Sequence, residues 1–258
     1  MGSFFNEILT RPLFNLLIEI YNVLPWHDMG LAIIALTILI KLVLWPLSHS
    51  SLKSQRRLQD LQPKLDALKS EHGANKDALA KAMMELYSKE KVNPLSSCLP
   101  ILVQLPILIA LYHVLLSGLN PGNLNTLYPF IQNPGDINSH FFGLIDLTQK
   151  NIWLAAVAGV LQYFQTRMLM ARRPPPALRK KEGAKDEDMM AAMNKSMTYA
   201  LPLMTAVLGA TLPGGVALYW VATNAISIFQ QMVAFRHKKD ASPVPPPAPS
   251  VPLAPPAP

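Results

Sequence analysis

Long apolar runs alternate with short charged segments along this chain, and the lengths of the runs set the first expectations. Residues 29–47 carry a single charge, Lys41, and residues 94–117, 151–171, 194–212 and 214–235 are apolar runs of similar length, the fourth interrupted by Pro202. A helix needs about 20 apolar residues to cross a hydrocarbon core. The runs show no period-2 alternation of the kind barrel strands require, and helices are the other way to satisfy backbone groups in lipid. The pattern therefore predicts an all-α membrane protein with five transmembrane helices, TM1 to TM5 in chain order.

Between the runs the pattern changes. In residues 1–25, Glu7, Arg11, Asn15 and Glu19 recur at helical spacing opposite Phe4, Phe5, Ile8, Leu13, Leu16, Leu17 and Ile20. No basic n-region or small-residue cleavage site accompanies them, so a signal peptide does not fit. The segment reads as an amphipathic helix, lying either on the outer interface or packed on the bundle. Residues 48–93 switch to soluble helical periodicity: Leu58, Leu61, Leu65 and Leu68 repeat at three and four residues, and Leu79, Met83 and Leu86 do so after Gly73. That predicts a helical hairpin, with Asn93 before Pro94 starting TM2. Residues 118–150 form a loop, 172–193 a mobile loop opening with three prolines, and 236–258 a basic and then Pro-rich disordered tail.

Composition agrees with the runs and adds an orientation. Half of the 258 residues are hydrophobic and only 15% are charged, which is wrong for an ordinary soluble domain. The basic residues gather on one side of the expected membrane: Lys53, Arg56, Arg57, Lys64, Lys69, Lys76, Lys81, Lys89 and Lys91 in the hairpin, the run from Arg172 to Lys185, and Arg236, Lys238 and Lys239 after TM5. The other side has Arg11 and Lys150. By the positive-inside rule the N-terminus is outside and the C-terminus inside, so the net charge of +7 reflects topology, with no DNA partner implied. One cysteine makes no internal disulfide, and no phosphate loop, metal-ligand cluster or cofactor motif is present.

Lys41 is the sharpest chemical feature. It lies six residues before Leu47, hence about 9 Å inside the inner end of TM1 at 1.5 Å per residue. A charge in a membrane helix costs on the order of 2.5–3.5 kcal/mol unless it snorkels or meets water. Thr37, Lys41 and Ser48 fall on one helical face. Gln104 in TM2, Gln162, Gln165 and Thr166 in TM3, and Trp220, Thr223, Asn224, Ser227 and Gln231 at three- and four-residue steps in TM5 add polar positions. Singly, such residues glue helices together. Together with Lys41 they predict a shared polar cavity, positive and hydrogen-bonding, without a nucleophile–base pair or carboxylate dyad. That chemistry suits binding, and the protein is not expected to be an enzyme.

The stretch KEKVNPLSSCLPILVQLPILIALY, Lys89 to Tyr112, resembles the signature of the YidC membrane insertase family, which includes the Oxa and Alb proteins. PLFNLLIEIYNVLP from Pro12, LTILIKLVLWPLS from Leu36, LQPKLDALK from Leu61, MMELYSKEK from Met83 and LPGGVALYWVATNAISIFQQ from Leu212 resemble the family in its own order. The resemblance covers residues 4–236 and is to the short form, without the large outer domain and without the usual N-terminal signal or additional first span. It implies a five-helix core, a cytoplasmic hairpin, and a hydrophilic groove open to cytoplasm and lipid but closed on the outer side. An arginine of the family's first span faces that groove, and Lys41 matches its position. Arginine holds its proton and binds carboxylates bidentately, whereas a buried lysine loses its proton more readily. Trp220 matches a groove aromatic, and Gln162 or Gln165 a groove glutamine.

The implied function is insertion and folding of nascent membrane proteins in the bacterial inner membrane without ATP. Expected partners are clients with acidic N-tails and the lipid bilayer, together with the ribosome, the signal recognition particle and its receptor, and the Sec translocon. Two other readings stay open. In one, Lys41 binds a small anion in a transporter or channel, against which stand the odd number of spans and the lack of an inverted repeat. In the other, the chain is an assembly factor that holds subunits without inserting them.

Overall fold

A computed structural model describes residues 3–72, 75–93, 99–118, 124, 126–170 and 185–236. The expected Pro-rich tail, the prolines after TM3, Cys98 and the start of TM2 lie outside these residues. The described chain is mostly helical, with one two-stranded hairpin.

α1 (Ser3–Phe5) leads through a π-helical turn, Asn6–Thr10, into α2 (Arg11–Val23), with only Arg11 between that turn and Pro12. α2 buries Leu13, Phe14, Leu17, Ile18 and Tyr21 against α3 (Met29–Val43) and α7 (Leu99–His113), while Phe4, Ile8 and Val23 stay exposed. Packing on the bundle thus accounts for its apolar face. Asp28 caps α3, its Oδ1 accepting from Leu31 N at 2.9 Å.

α3 ends at Val43, and α4 (Trp45–Asp60) leaves it at 65°. Pro46 explains the break, since its nitrogen has no proton for the carbonyl four residues back and its ring crowds that carbonyl. Ser48 therefore stands beyond the bend, and the single face expected of Thr37, Lys41 and Ser48 does not extend that far. α4 runs on into α5 (Gln62–His72) and α6 (Lys76–Lys89), which close over a small core of Leu61, Leu65 and Val92 with Leu58, Met83, Leu86 and Tyr87. Asn75 caps α6 through its Oδ1, and Lys64 pairs with Glu90 across the hairpin. Partial burial there raises the Tyr87 phenol above its ordinary pKa.

α7 is followed by a second π turn, Val114–Gly118, and residues 126–150, further along the loop, are pinned to α2. Asn15 Oδ1 accepts from Tyr128 N at 2.6 Å, Asn22 Nδ2 donates to Gln132 O at 2.8 Å, and Asn138 N donates to the Tyr21 hydroxyl at 2.8 Å. β1 (His140–Phe141) and β2 (Ile145–Asp146) pair antiparallel, His140 opposite Asp146. Their turn holds Phe142 at φ +49, and its N–H donates to Asp28 Oδ2 at 2.6 Å, so one carboxylate caps α3 and holds the turn. Gly30 admits the hairpin, because a Cβ there would lie 2.1 Å from the Phe141 ring. Neither strand was expected from the sequence pattern, since two-residue strands carry no readable alternation.

α8 (Ile152–Met170), α9 (Lys185–Thr211) and α10 (Gly214–Arg236) complete the bundle. α9 begins at Lys185, so residues 185–193 are helical where a loop was expected: Lys185 to Met193 holds good helix formers, among them Met189, Met190, Ala191 and Ala192. α8 and α9 approach closely at Gly159, where a Cβ would lie 2.9 Å from Ala206 Cβ and 3.1 Å from the Pro202 carbonyl. Among the described residues no single helix is long and apolar enough to cross a membrane. The bent pair Met29–Val43 and Trp45–Leu58 passes together by length and composition, and Leu102–Leu116 and Thr198–Thr211 are shorter apolar helices.

Candidate functional site

α10 is the hub of the polar positions. Gly214 and Gly215 seat its N-terminus against the loop, their N–H groups donating to Gln149 O at 2.7 Å and Leu147 O at 2.9 Å. From there Tyr219, Thr223, Ser227 and Gln231, all buried, repeat every four residues. α10 meets three neighbours, two of them through this stripe and the third through Asn224. Lys41 Nζ of α3 donates to Ser227 Oγ at 2.9 Å, Gln104 of α7 donates to the Tyr219 hydroxyl, and Asn224 Nδ2 donates to the Ala158 carbonyl of α8 at 3.2 Å.

Lys41 is half-buried, and its one described partner is a neutral hydroxyl. Among the described residues the ion pairs are Arg11–Glu7 and Lys64–Glu90, both remote from it, so no carboxylate neutralises Lys41. Thr37, one turn away, is buried, but its hydroxyl is spent on the Ile33 carbonyl at 2.6 Å. Ser227 itself donates to the Thr223 carbonyl at 2.8 Å, which leaves its oxygen oriented toward the lysine.

The other expected residues divide. Gln162 reaches Thr166 on its own helix at 3.4 Å, whereas Gln165 Oε1 is buried without a hydrogen-bond partner, as is Gln231 Oε1 on α10. Buried acceptors left unpaired are rare in native structures. Trp220 is half-buried and lies by Gly209 of α9, so α9 is among its neighbours. The direct contacts thus set Lys41 and Gln104 against α10 about two turns apart, at Ser227 and Tyr219, and turn Asn224 of α10 toward α8. Ser227 and Gln231, already on the polar stripe of TM5, are joined as candidates by Tyr219 and Gln230, which were not named from the sequence. The i, i+4 recurrence extends to Tyr219, while Gln230 shows only through its burial.

Among the described residues this region offers one cation with neutral donors and acceptors on the helices around it.

Residues 20–241 match the family described as 60Kd inner membrane protein. Curated relatives include the proteins named membrane protein insertase YidC from Francisella tularensis subsp. novicida (strain U112), subsp. tularensis (strain WY96-3418) and subsp. mediasiatica (strain FSC147). Each is 38% identical over 239 residues, which is 92% of this chain but 37% of the relative's length. The chain therefore spans little more than a third of the length of the curated relatives it matches.

Proposed function

Since the chain belongs to the 60Kd inner membrane protein family, that of the membrane protein insertase YidC, and so to the bacterial inner membrane, we propose that it inserts nascent membrane proteins through a positively charged polar groove centred on Lys41. The observation that carries the proposal is the un-neutralised Lys41 ammonium between α3 and α10. Thr37, Gln104, Gln162, Gln165, Trp220 and Asn224 are assigned with it as groove residues, and the buried unpartnered Gln165 Oε1 and Gln231 Oε1 support that assignment. In this reading the chain crosses the bilayer five times, N-terminus outside and C-terminus inside. The polar stripes that keep α8 and α10 below the apolar threshold for a span are then the groove lining itself.

The mechanism needs no ATP. A hydrated groove shortens the hydrocarbon that a client's polar N-tail must cross, and the fixed charge draws acidic residues of that tail inward. The adjoining apolar segment leaves into lipid along α8 and α10, driven by burial of its surface at about 25 cal/mol per Å2. The same lateral exit lets the protein act as a folding chaperone. The basic hairpin α4–α6 supplies a docking face for the ribosome, the signal recognition particle, its receptor or the Sec translocon.

Liposomes containing only this protein test the proposal with a single-span client bearing an acidic N-tail, read by protease protection. Wild type and Lys41→Arg should protect the client, and Lys41→Glu should lose at least tenfold, the effect of ~1.4 kcal/mol. Equal protection by all three would remove charge attraction from the mechanism. Small-anion flux without protection would instead indicate a transporter.

A further inference from the structure

Among the described residues three non-glycine residues adopt positive φ, and two of them meet at Asp28: His27 at +45, its neighbour in sequence, and Phe142 at +49, whose N–H donates to it at 2.6 Å. Phe142 and Gly143, at φ +69, are the central pair of a turn closed by Leu144 N–H donating to the Phe141 carbonyl at 3.0 Å, the pattern of a type I′ turn. Such a turn favours Asn or Asp at its first central position, and a phenylalanine there is strained. The strain secures little packing. Phe142 leans on Phe141, ring centroids 4.6 Å apart, yet is 63% exposed, and Leu144 beyond the glycine is 85% exposed. Strain kept for side chains that the fold leaves bare points to a contact outside the chain.

The position of the turn identifies what covers it. Phe141 lies over Gly30 in the first turn of α3, and past the hairpin the Leu147 carbonyl accepts from Gly215 N at the start of α10 at 2.9 Å. The hairpin is therefore fastened to two helix N-termini, and its tip rests at the beginning of α3 instead of projecting away from it. Trp26, two residues before Asp28, is 73% exposed beside it. At the corresponding end of α8, Trp153 heads an exposed apolar stripe with Val157, Val160 and Phe164, the face that a bundle in a membrane turns to lipid. No charge falls between His140 and Asp146.

We propose that the turn at residues 142–144, with Trp26, is an anchor seated among the lipids at the outer surface of the inner membrane. Large aromatic and apolar side chains concentrate at that boundary, and seating them there removes from water the surface that the fold leaves bare. A soluble partner would have to displace lipid to reach it. The anchor fixes the depth of α3, the helix that carries Lys41. The proposal rests on the spanning arrangement proposed above, with the start of α3 at the outer surface, but not on insertion activity.

Spin labels on the full chain in liposomes test the anchor by their collisions with oxygen, which enters lipid, and with a nickel chelate, which stays in water. In a Cys98→Ser background, Leu144→Cys should collide mainly with oxygen, as should Val157→Cys on the α8 stripe. Asp136→Cys, on an exposed part of the loop, should collide mainly with the chelate. Phe142→Asn supplies a residue that the turn prefers, so it should melt no lower than wild type in detergent while shifting the label at 144 toward the chelate. Chelate collisions at 144 equal to those at 136, with 157 in lipid, would overturn the anchor alone, whereas chelate collisions at 157 as well would overturn the spanning arrangement beneath it. A label at 144 shielded from both probes would assign the turn to a protein partner, and one unmoved by Phe142→Asn would leave the strained residue without its role; either would overturn the anchor.

Discussion

A lysine ammonium carries three donors, and the only acceptor described for Lys41 is the Ser227 hydroxyl, which orients the group without cancelling its charge. In the function proposed above, that uncancelled charge is what attracts an acidic segment of the client. Lys41 was legible in the sequence because one charge in an apolar run stands out; Ser227 was visible only as one polar position in a stripe. Another residue-scale contact lies in the hairpin of the loop. The Thr148 hydroxyl donates to Asp146 Oδ1 at 2.6 Å and its N–H at 2.9 Å, and the hydroxyl is the main reason this carboxyl sits below its usual pKa, with His140 adding attraction. Because the folded pKa is depressed, the stabilisation is present at neutral pH and is lost as pH falls through the folded value. Water screens this partly exposed carboxylate, so Thr148→Val should cost no more than a few tenths of a kcal/mol at pH 7. Thermal melting in detergent at pH 7 and pH 3 checks this, with the difference between variant and wild type expected to shrink at pH 3.

At the scale of elements, Pro46 does more than interrupt a helix. It turns α4 by 65° away from α3, which makes Lys41 the last charged position before the bend and opens a cleft beside Gln230. With Pro46→Ala the N–H is restored and the two helices should straighten toward one. Spin labels at residues 38 and 57 should then move apart by roughly 4 Å, from the 1.5 Å rise per residue and the loss of the bend. An unchanged distance would assign the bend to packing against α10. Leucine periodicity made the hairpin helices readable: Leu61, at the break before α5, and Leu65 of α5 are buried, and Met83 and Leu86 of α6 are partly buried against them. The start of α9 was not readable, because the helix formers of residues 185–193 are mixed with charges that read as loop.

For the whole molecule, the controlling feature is how closely the helices approach. α8 and α9 meet at Gly159, and α10 sits against α3 and α8 with Ser227 and Asn224 turned to them. Gly159→Leu should push α9 off α8 and cost ~1–3 kcal/mol by overpacking. A fall in detergent melting temperature, together with loss of a crosslink between cysteines placed at residues 155 and 209, would register the separation. The groove proposed for insertion depends on this packing only indirectly, so the variant should lower stability more than it lowers the specific activity of the folded fraction.

Apolar run lengths were sufficient by themselves for the helical class, and the resemblance of the short motifs from Pro12 to Gln231 was sufficient for the family. The first is a property of composition and periodicity and the second of local sequence, and both survive without knowledge of contacts. Only the tertiary structure decided that Ser227 answers Lys41 across 186 positions, that Gln104 answers Tyr219, that α2 is pinned by the loop through Asn15, Asn22 and Tyr21, and that Gln230 is buried without a partner beside a cleft. Periodicity specifies which face of a helix turns inward, but the partner on the facing helix depends on where each axis bends and how near it comes. Those distances are set by Pro46, Gly30 and Gly159 acting on chain segments far from them in sequence.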